Sequence, residues 1–525
     1  MDLTKDLQKK QNKFNWQLIL ILIVAVIFRL YLLDMKPAHH DEGVNGWFLD
    51  QITKNHFYIY DPKNYHGPLH FYIMFVFQHF LGRANWIIRL PTALISILSV
   101  YWIFLFSRFI GQQAALIAAC GMAISPAFVY FGRFAIHEAD LVFFLILILW
   151  GFMGLYYEGK TKYLWALGIG ISGTILTKET YIVHFICFVL AWGFLRFLED
   201  MYPSEENRFA KQQWAERDLY LVFFVCVGLI VFFYSGNFLN FKGLHGIYQT
   251  FQEWLSTGNK AGGHAKPFLY WFNLCKRYEL IALLGLIFSP FYLSTTPRMI
   301  RYTAIYGLGT FIAYSIIPYK TPWCIISIIW PFYLTFGDIV SRLLKTNFYF
   351  FVYCTLIILI LLSTTSSIKL NFINYCSNKE QYVYVHTFKE ISKITDPLFK
   401  LAKNDHTQYS NLKGIVLSSD EWPLPWTLGD FTMIAYYNIN NLPKDTDADF
   451  LFVEKKHIGY IESKLKNEYF TESFPLRDAQ ESSKLYLSYT KFKNIFPDRK
   501  PEFLPSMIIS TPVINNQSQI KTNNF

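Results

Sequence analysis

Long apolar stretches alternate with short polar segments along the first two-thirds of the chain. Each stretch has roughly 18–22 residues, enough for a helix to cross a hydrocarbon core of about 30 Å. The pattern predicts eleven transmembrane helices, at residues 16–33, 85–107, 112–131, 140–157, 162–177, 180–197, 218–235, 279–296, 302–318, 322–340 and 346–365. The apolar stretch Leu69–Leu81 is shorter, about 13 residues, which favours an interfacial or re-entrant helix.

Composition agrees with a membrane protein. Of the 525 residues, 53% are hydrophobic and 16% are charged, whereas soluble domains are about 25% charged. Because apolar stretches continue far beyond the first one, a secreted protein with a signal peptide is excluded. The net charge of +10 is typical of lysines and arginines beside membrane helices, and no basic aromatic groove predicts a nucleic-acid partner. The seven cysteines contain no CxxC pair and are interpreted as buried thiols.

The positions of the basic residues predict the orientation. With eleven spans and a cytoplasmic tail at residues 1–15, most short basic loops fall on the cytoplasmic side, as the positive-inside rule requires. We therefore predict a multi-pass protein of the plasma (inner) membrane. Its transmembrane domain covers residues 16–367, with outer loops at 34–84, 132–139 and 236–278.

The character of the sequence changes near residue 368. A helical stretch around Tyr382–Leu401 is followed by the β-branched and aromatic runs GIVLSS (414–419), DFLFVE (449–454) and KLYLSYT (484–490). This alternation predicts a small α/β domain at 368–500. An odd number of spans places it on the extracytoplasmic face, and the polar stretch 501–525 is predicted to be a flexible tail.

The conspicuous polar clusters all fall on the predicted outer face. They are HHDEGVNGWF (39–48), YHGPLH (65–70), GRFAIHEAD (132–140), TKETY (177–181), GGHAKPF (262–268) and PYKTPW (318–323). Since they come from separate loops, their convergence on one face is the strongest indication of a functional site.

The first cluster begins a predicted short interfacial helix. Its apolar stripe consists of Val44, Trp47, Phe48 and Ile52. Asp41 and Glu42 stand at the N-terminus of this helix, where free N–H groups favour negative charge. Their side chains point about 100° apart on a helix, so we assign Asp41 to chemistry and Glu42 to orientation or capping. Simple N-capping is the alternative for either residue.

Two interpretations are open for the remaining charges. Arg133 and Glu138 could form an ion pair that stabilises their loop, or they could belong to a site with Asp140. Lys178, Lys266 and Lys320 could each be a snorkelling lysine, or with Arg133 they could surround an anionic phosphate.

A metal site is a further alternative. The histidines that could assemble it are His39, His40, His66, His137 and His264. No HxxxH or HExxH spacing supports a transition metal. No cofactor is required by the pattern, although a divalent cation held by carboxylates (Asp41, Glu138 and Asp140) and a phosphate is left open.

Glycosyl transfer at a membrane surface fits these groups. The reaction needs a carboxylate base for an acceptor hydroxyl, cations for a departing lipid phosphate, and an apolar groove for the lipid.

At these residues the sequence resembles glycosyltransferase family 39, which includes protein O-mannosyltransferases and aminoarabinose transferases. The resemblance rests on the acidic pair after the first span, YHGPL, IIRLPTAL (87–94), Arg133 to Glu138, and Thr177–Lys178. GGHAKPF and PLPW (423–426) look closer to a prokaryotic branch associated with flippase activity. The resemblance implies a GT-C membrane fold and inverting transfer from a polyprenyl-phosphate-linked sugar to a protein, lipid or glycan hydroxyl on the extracytoplasmic face.

The resemblance also implies roles for individual residues. Asp41 and Glu138 match the catalytic acidic positions, although aspartate is more usual at the second. Lys178 matches the family's lysine, but Glu179 follows it where glycine is common. Substrate-binding roles are assigned to Glu42, His66, Arg133, Asp140, Lys178, His264, Lys266, Tyr319 and Lys320. The alternatives are a lipid-linked sugar flippase and a non-catalytic partner in glycan assembly.

Overall fold

A computed structural model describes residues 15–64, 66–203, 209–260, 262–294, 297–478 and 480–505. The predicted cytoplasmic tail, apart from residue 15, and most of the predicted flexible tail lie outside these residues. By backbone contacts the described residues form two compact units, one within 1–36 and 44–384 and the other within 37–43 and 385–525.

The first unit is helical. Its main helices are α1 Trp16–Leu30, α2 His40–Asn55 (which starts in the second unit), α3 Leu69–Leu81, α4 Asn85–Leu105, α5 Gln112–Ile124, α6 Pro126–Gly132, α7 His137–Tyr157, α8 Thr161–Thr177, α9 Tyr181–Met201, α10 Glu216–Tyr234, α11 Lys242–Lys260, α12 Tyr270–Tyr278, α13 Leu280–Phe288, α14 Arg298–Ile316, α15 Ile325–Leu343 and α16 Tyr349–Ile368. Each of the eleven predicted spans overlaps a helix. The protein is therefore a multi-pass helical membrane protein.

Not every helix of the first unit is long enough to cross a membrane. Among the described residues, six helices are long and apolar enough to cross a membrane, or seven if the pair α5–α6, bent by 58°, is one span. Helix α1, with 15 residues, and α3, with 13, are apolar but shorter. The count of eleven and the sidedness stay predictions.

The bend between α5 and α6 has a clear cause. Pro126 has no N–H, and the residue before a proline avoids helical backbone angles; Ser125 accordingly has ψ of 127°. The buried carboxylate of Glu279 satisfies the freed groups, because it accepts from the Ser125 hydroxyl at 2.6 Å and the Ala127 N–H at 2.7 Å. The break thereby places Arg133 and the start of α7 at one end of the bundle.

The second unit contains the predicted α/β fold. Its strands are β1 Gly414–Leu417, β2 Ile434–Tyr437, β3 Phe450–Glu454, β4 Tyr469–Phe474 and β5 Ser483–Ser488. The strand order is β2-β1-β3-β5-β4, with β1 parallel to β2 and β3, and β5 antiparallel to β3 and β4. Both faces of β3 are covered, since Phe450 and Phe452 join one apolar cluster while Leu451 and Val453 join the other. The three strands predicted from the sequence are confirmed, and β2 and β4 were not predicted.

Three local predictions differ from the structure. The helix predicted around Tyr382–Leu401 begins only at Ser392 and continues to Asn404. The boundary predicted at residue 368 lies at the end of α16, while backbone contacts group the residues up to Tyr384 with the first unit. In α2, Phe48 and Ile52 are buried as the stripe predicted, but Trp47 is 40% exposed.

Candidate active site

The N-terminus of α7 and the C-terminus of α8 bring together two predicted site residues. Nζ of Lys178 lies 2.5 Å from Oε1 of Glu138, and both side chains are buried. The alternative ion pair between Arg133 and Glu138 is wrong, because the described contacts pair Glu138 with Lys178. A buried charge is costly unless it is paired, so each of these groups requires the other.

The HGP sequence holds this junction in place. His66 forms a backbone bridge with Lys178, and the N–H of Gly67 donates to the carbonyl oxygen of Thr177 at 3.0 Å. A Cβ atom at Gly67 would lie 2.2 Å from the carbonyl oxygen of Leu176. Only glycine allows this approach of two backbones, which explains the motif.

Three imidazole rings pack together beside the ion pair, with neighbouring ring planes tilted by 43°. The ring of His137 lies 4.5 Å from that of His66 and 4.3 Å from that of His70. A carboxylate holds each outer ring: Glu179 Oε2 is 3.0 Å from His66 Nδ1, and Asp140 Oδ2 is 2.7 Å from His70 Nδ1. The predicted residues His66 and Asp140 are thus brought to one cluster with Glu138 and Lys178. His70 and Glu179 were missed, although both lie inside motifs quoted for other reasons.

The charges of the two residues that follow α8 are set by this packing. Burial disfavours the charged form of Lys178, but Glu138 and Glu179 outweigh it and raise the pKa of Lys178 well above its usual range. Burial would raise the pKa of Glu179, yet Lys178 and His66 lower it. Lys178 is therefore an ammonium and Glu179 a carboxylate at neutral pH.

The other predicted lysines form a second pairing in the same unit. Residues 264–266 run antiparallel to 318–320: Lys266 N–H donates to the Pro318 carbonyl at 3.1 Å, and Lys320 N–H donates to the His264 carbonyl at 3.1 Å. The Lys320 ammonium is buried against the carbonyl oxygens of Lys266 and Ile317, and burial lowers its pKa. The ring of His264 lies 4.9 Å from that of Tyr319, and its Nδ1 lies 2.8 Å from the Tyr384 hydroxyl.

Cys324 lies between the Glu138–Lys178 pair and the segment that carries Lys320. Its Sγ lies 3.9 Å from Glu138 Oε1, and its N–H donates to the Thr321 carbonyl at 3.1 Å, next to Lys320. The segment that carries Lys178 and the paired segments that carry Lys266 and Lys320 therefore face one region of the structure.

Arg133 does not belong to this site. Its guanidinium donates to the carbonyl oxygens of Phe28, Arg29, Tyr31 and Leu32, at the C-terminal end of α1. Phe28 and Arg29 belong to the last turn of the helix, where carbonyls lack a partner within the helix, and a guanidinium presents several donors in a rigid fork. The prediction that Arg133 holds a donor phosphate is corrected accordingly. Arg89, in the sequence IIRLPTAL, likewise donates to the carbonyl oxygens of Leu33 and Lys36.

The acidic pair of the first loop lies in the second unit. Glu42 Oε2 accepts from the His39 N–H at 2.9 Å, and His39 Nδ1 accepts from the Asp41 N–H at 3.0 Å. This is a reciprocal cap at the start of α2, so Glu42 has the capping role predicted for it. The side chain of Asp41 is 38% exposed, and its Oδ1 lies 3.0 Å from Nδ1 of His40.

A protein-ligated metal finds no support in these positions. Among the described residues, no group of three or more His, Cys, Asp or Glu side chains could hold a metal ion. The two outer rings of the histidine cluster, those of His66 and His70, each contact a different carboxylate, Glu179 and Asp140.

The fold and the sequence both match known proteins. The fold is similar to ArnT from Cupriavidus metallidurans, bound to undecaprenyl phosphate and in the apo state. The TM-score is 0.57 in each case, at 12% and 13% identity, covering 89% of this chain and 97% of that one. The chain therefore has the GT-C fold of membrane glycosyltransferases.

Residues 65–230 match the family described as dolichyl-phosphate-mannose-protein mannosyltransferase. A stretch of 200 residues, 35% of the chain, is 27% identical to "Putative mannosyltransferase YkcB" of Bacillus subtilis (strain 168), and the match covers 27% of that relative's length. The predicted resemblance to glycosyltransferase family 39 is confirmed. The finer resemblance to a flippase-associated branch stays a prediction.

Proposed function

We propose that the protein is a membrane glycosyltransferase that moves a sugar from a polyprenyl-phosphate donor to an acceptor hydroxyl at the extracytoplasmic face. The buried Glu138–Lys178 pair carries the proposal. It lies inside the segment matched by the mannosyltransferase family, at the end of a helical bundle whose fold is similar to an undecaprenyl-phosphate-bound protein. An ammonium kept charged in a low-dielectric site is suited to a phosphate group.

The proposed reaction is an inverting displacement. The acceptor oxygen attacks the anomeric carbon, the bond from that carbon to the phosphate oxygen breaks, and polyprenyl phosphate departs. Asp41 takes the proton from the acceptor hydroxyl as general base. Lys178, Lys266 and Lys320 offset the charge that develops on the departing phosphate.

The remaining polar side chains of the first unit have supporting roles. We assign His66, Asp140, His264 and Tyr319 to orientation of the sugar and phosphate, since imidazole, carboxylate and phenol groups donate to and accept from hydroxyls. Glu138 keeps Lys178 charged. Arg133 is no longer among the phosphate-binding candidates, because Nη1 and Nη2 of its guanidinium donate to carbonyl oxygens at the end of α1.

Asp41→Asn is the decisive variant. With membranes containing the variant and a panel of labelled polyprenyl-phosphate hexoses and pentoses, we expect the transfer rate to fall by at least about a hundredfold, as for loss of a general base. Asp50→Asn is the matched control: it makes the same change in the same helix, at a residue paired with Arg83. Full activity of Asp41→Asn would overturn the assignment.

The same membranes distinguish the transporter alternative. A flippase would move the lipid-linked sugar across proteoliposomes without forming a new glycosidic bond. Wild-type protein that moves the donor across the bilayer but yields no labelled product would therefore replace the proposed function.

A further inference from the structure

We propose that Asp420, a residue of the C-terminal α/β unit, positions Asp41 through the imidazole of His40. The inference rests on the proposed function, in which Asp41 is the general base. It gives the C-terminal unit a part in the reaction, since neither the motifs nor the fold assigns it one.

The three side chains lie in a row within the second unit. Nδ1 of His40 is 3.0 Å from Oδ1 of Asp41, and Nε2 of the same ring is 3.6 Å from Oδ1 of Asp420. The first distance is a hydrogen bond, and the second is an ion-pair distance longer than a hydrogen bond. With a carboxylate at each nitrogen, the ring has a defined orientation, and it presents Nδ1 to Asp41.

Asp420 is itself held firmly. Its carboxylate pairs with the guanidinium of Arg477, which is 3% exposed. Its N–H donates to the hydroxyl of Ser418 at 3.3 Å, and its carbonyl oxygen accepts from that same hydroxyl and from the amide of Gln480. An outer residue can orient an inner one only if it is fixed in this way.

The segment that carries Asp41 is fitted to the same loop. A Cβ atom at Gly43 would lie 2.6 Å from Cα of Pro423, so only glycine permits this approach. The ring of Trp422 meets that of His40 edge-on at 6.5 Å, and the ring of His386 lies 5.7 Å from that of His39. Residues 37–43 accordingly group with the described residues of 385–525. The acidic segment therefore packs against residues of the α/β fold.

The arrangement has a specific consequence for the reaction. A general base must present a lone pair to the acceptor proton, and a small misorientation lowers the rate without changing binding. Asp420 is a positioning residue, because it acts through His40. Its loss should therefore lower kcat and leave KM for the donor unchanged.

The first test uses Asp420→Asn in full-length protein, with the polyprenyl-phosphate sugar that the wild type consumes. We expect kcat to fall about tenfold, the size of one charge-assisted contact, with unchanged KM. Asp420→Glu should recover most of the rate. Glu472→Gln is the matched control, since Glu472 is 37% exposed and paired with Lys393, while Asp420 is 41% exposed and paired with Arg477.

The second test asks whether Asp420 acts through His40. Asparagine at position 40 keeps a donor near Nδ1 but presents nothing to Asp420, so His40→Asn with Asp420→Asn should be no slower than His40→Asn alone. A merely structural role of Asp420 would give additive losses, and equal loss in Glu472→Gln would also overturn the inference. Inactive Asp41→Asn with unimpaired Asp420→Asn rejects this inference alone, whereas active Asp41→Asn rejects the proposed function.

Discussion

Lys178 and Glu138, whose charged atoms lie 2.5 Å apart, form a buried ion pair that joins the end of α8 to the start of α7. Glu138 is the main anion beside Lys178, and Glu179 adds to its effect. Glu138→Gln leaves a buried ammonium without its main anion, and breaking such a pair costs about 3–5 kcal/mol. We expect a lower thermal unfolding midpoint and loss of transfer, measured on protein in nanodiscs.

A double variant separates stability from chemistry in this pair. Glu138→Met with Lys178→Met replaces two charges with apolar groups of similar volume, which is often neutral for stability. The unfolding midpoint should return close to that of the wild type while transfer stays absent. Arg196→Gln, at a pair whose arginine is 60% exposed, should change stability by less than about 1 kcal/mol. Recovery of transfer in the double variant would contradict a role for this pair in the reaction.

Arg133→Gln should damage folding rather than donor binding. The guanidinium donates to four carbonyl groups of the α1 terminus, and lysine cannot reproduce this fork. We expect both Arg133→Gln and Arg133→Lys to lower the unfolding midpoint, with unchanged KM for the donor in the folded fraction. A raised KM at normal stability would instead restore Arg133 to the phosphate site.

Gly67→Ala should separate the two backbones that support the ion pair. The added methyl group meets the carbonyl of Leu176 at 2.2 Å, so the bridge between His66 and Lys178 must open. We expect a lower unfolding midpoint together with reduced transfer. Gly193→Ala is the control, because its Cβ would meet nothing within 4 Å. Equal behaviour of the two variants would show that the close approach has no importance.

The lowered pKa of Glu179 predicts how the stability of the folded protein depends on pH. Its pKa is lower in the folded protein than the ordinary 4.5, so its contribution is complete above that value and is lost as the pH falls through the folded pKa. The pKa of Lys178 is raised, so its contribution is complete below 10.5 and is lost only at higher pH. The thermal unfolding midpoint of the wild type should therefore be lower at pH values below about 4.5 than at neutral pH. Glu179→Gln should be less stable at neutral pH and show a shallower acid decline.

Much of the architecture could be predicted from the sequence, because hydropathy is a local property. Apolar stretches of sufficient length specify helices wherever they occur, and all eleven predicted stretches are helical. The runs at 414–419, 449–454 and 484–490 specify strands for the same reason. Strand β2 was missed because its four residues, IAYY, show no alternation of apolar and polar side chains; in the structure all four are half-buried. The helix starts later than predicted, at Ser392, while Tyr382, the first residue of the predicted stretch, belongs to the apolar core of the first unit.

The site was only partly predictable, because partner choice is a tertiary property. Motif order identified Glu138, Lys178, His66 and Asp140 as members of one face. It could not show that Glu138 pairs with Lys178 instead of Arg133, since the carbonyls that Arg133 satisfies lie about a hundred residues earlier in the chain.

The sequence by itself determined the class of protein and the acidic and basic residues available, both of which follow from local chemistry, and it left Glu42 between orientation and capping. Only the tertiary structure decided which charges meet. It packed His137 against His66 and His70 of an earlier segment, assigned Arg133 to a helix end, and joined the segment bearing Asp41 to the α/β unit. The physical reason is that buried charges must be paired, and the fold alone selects which pairs form.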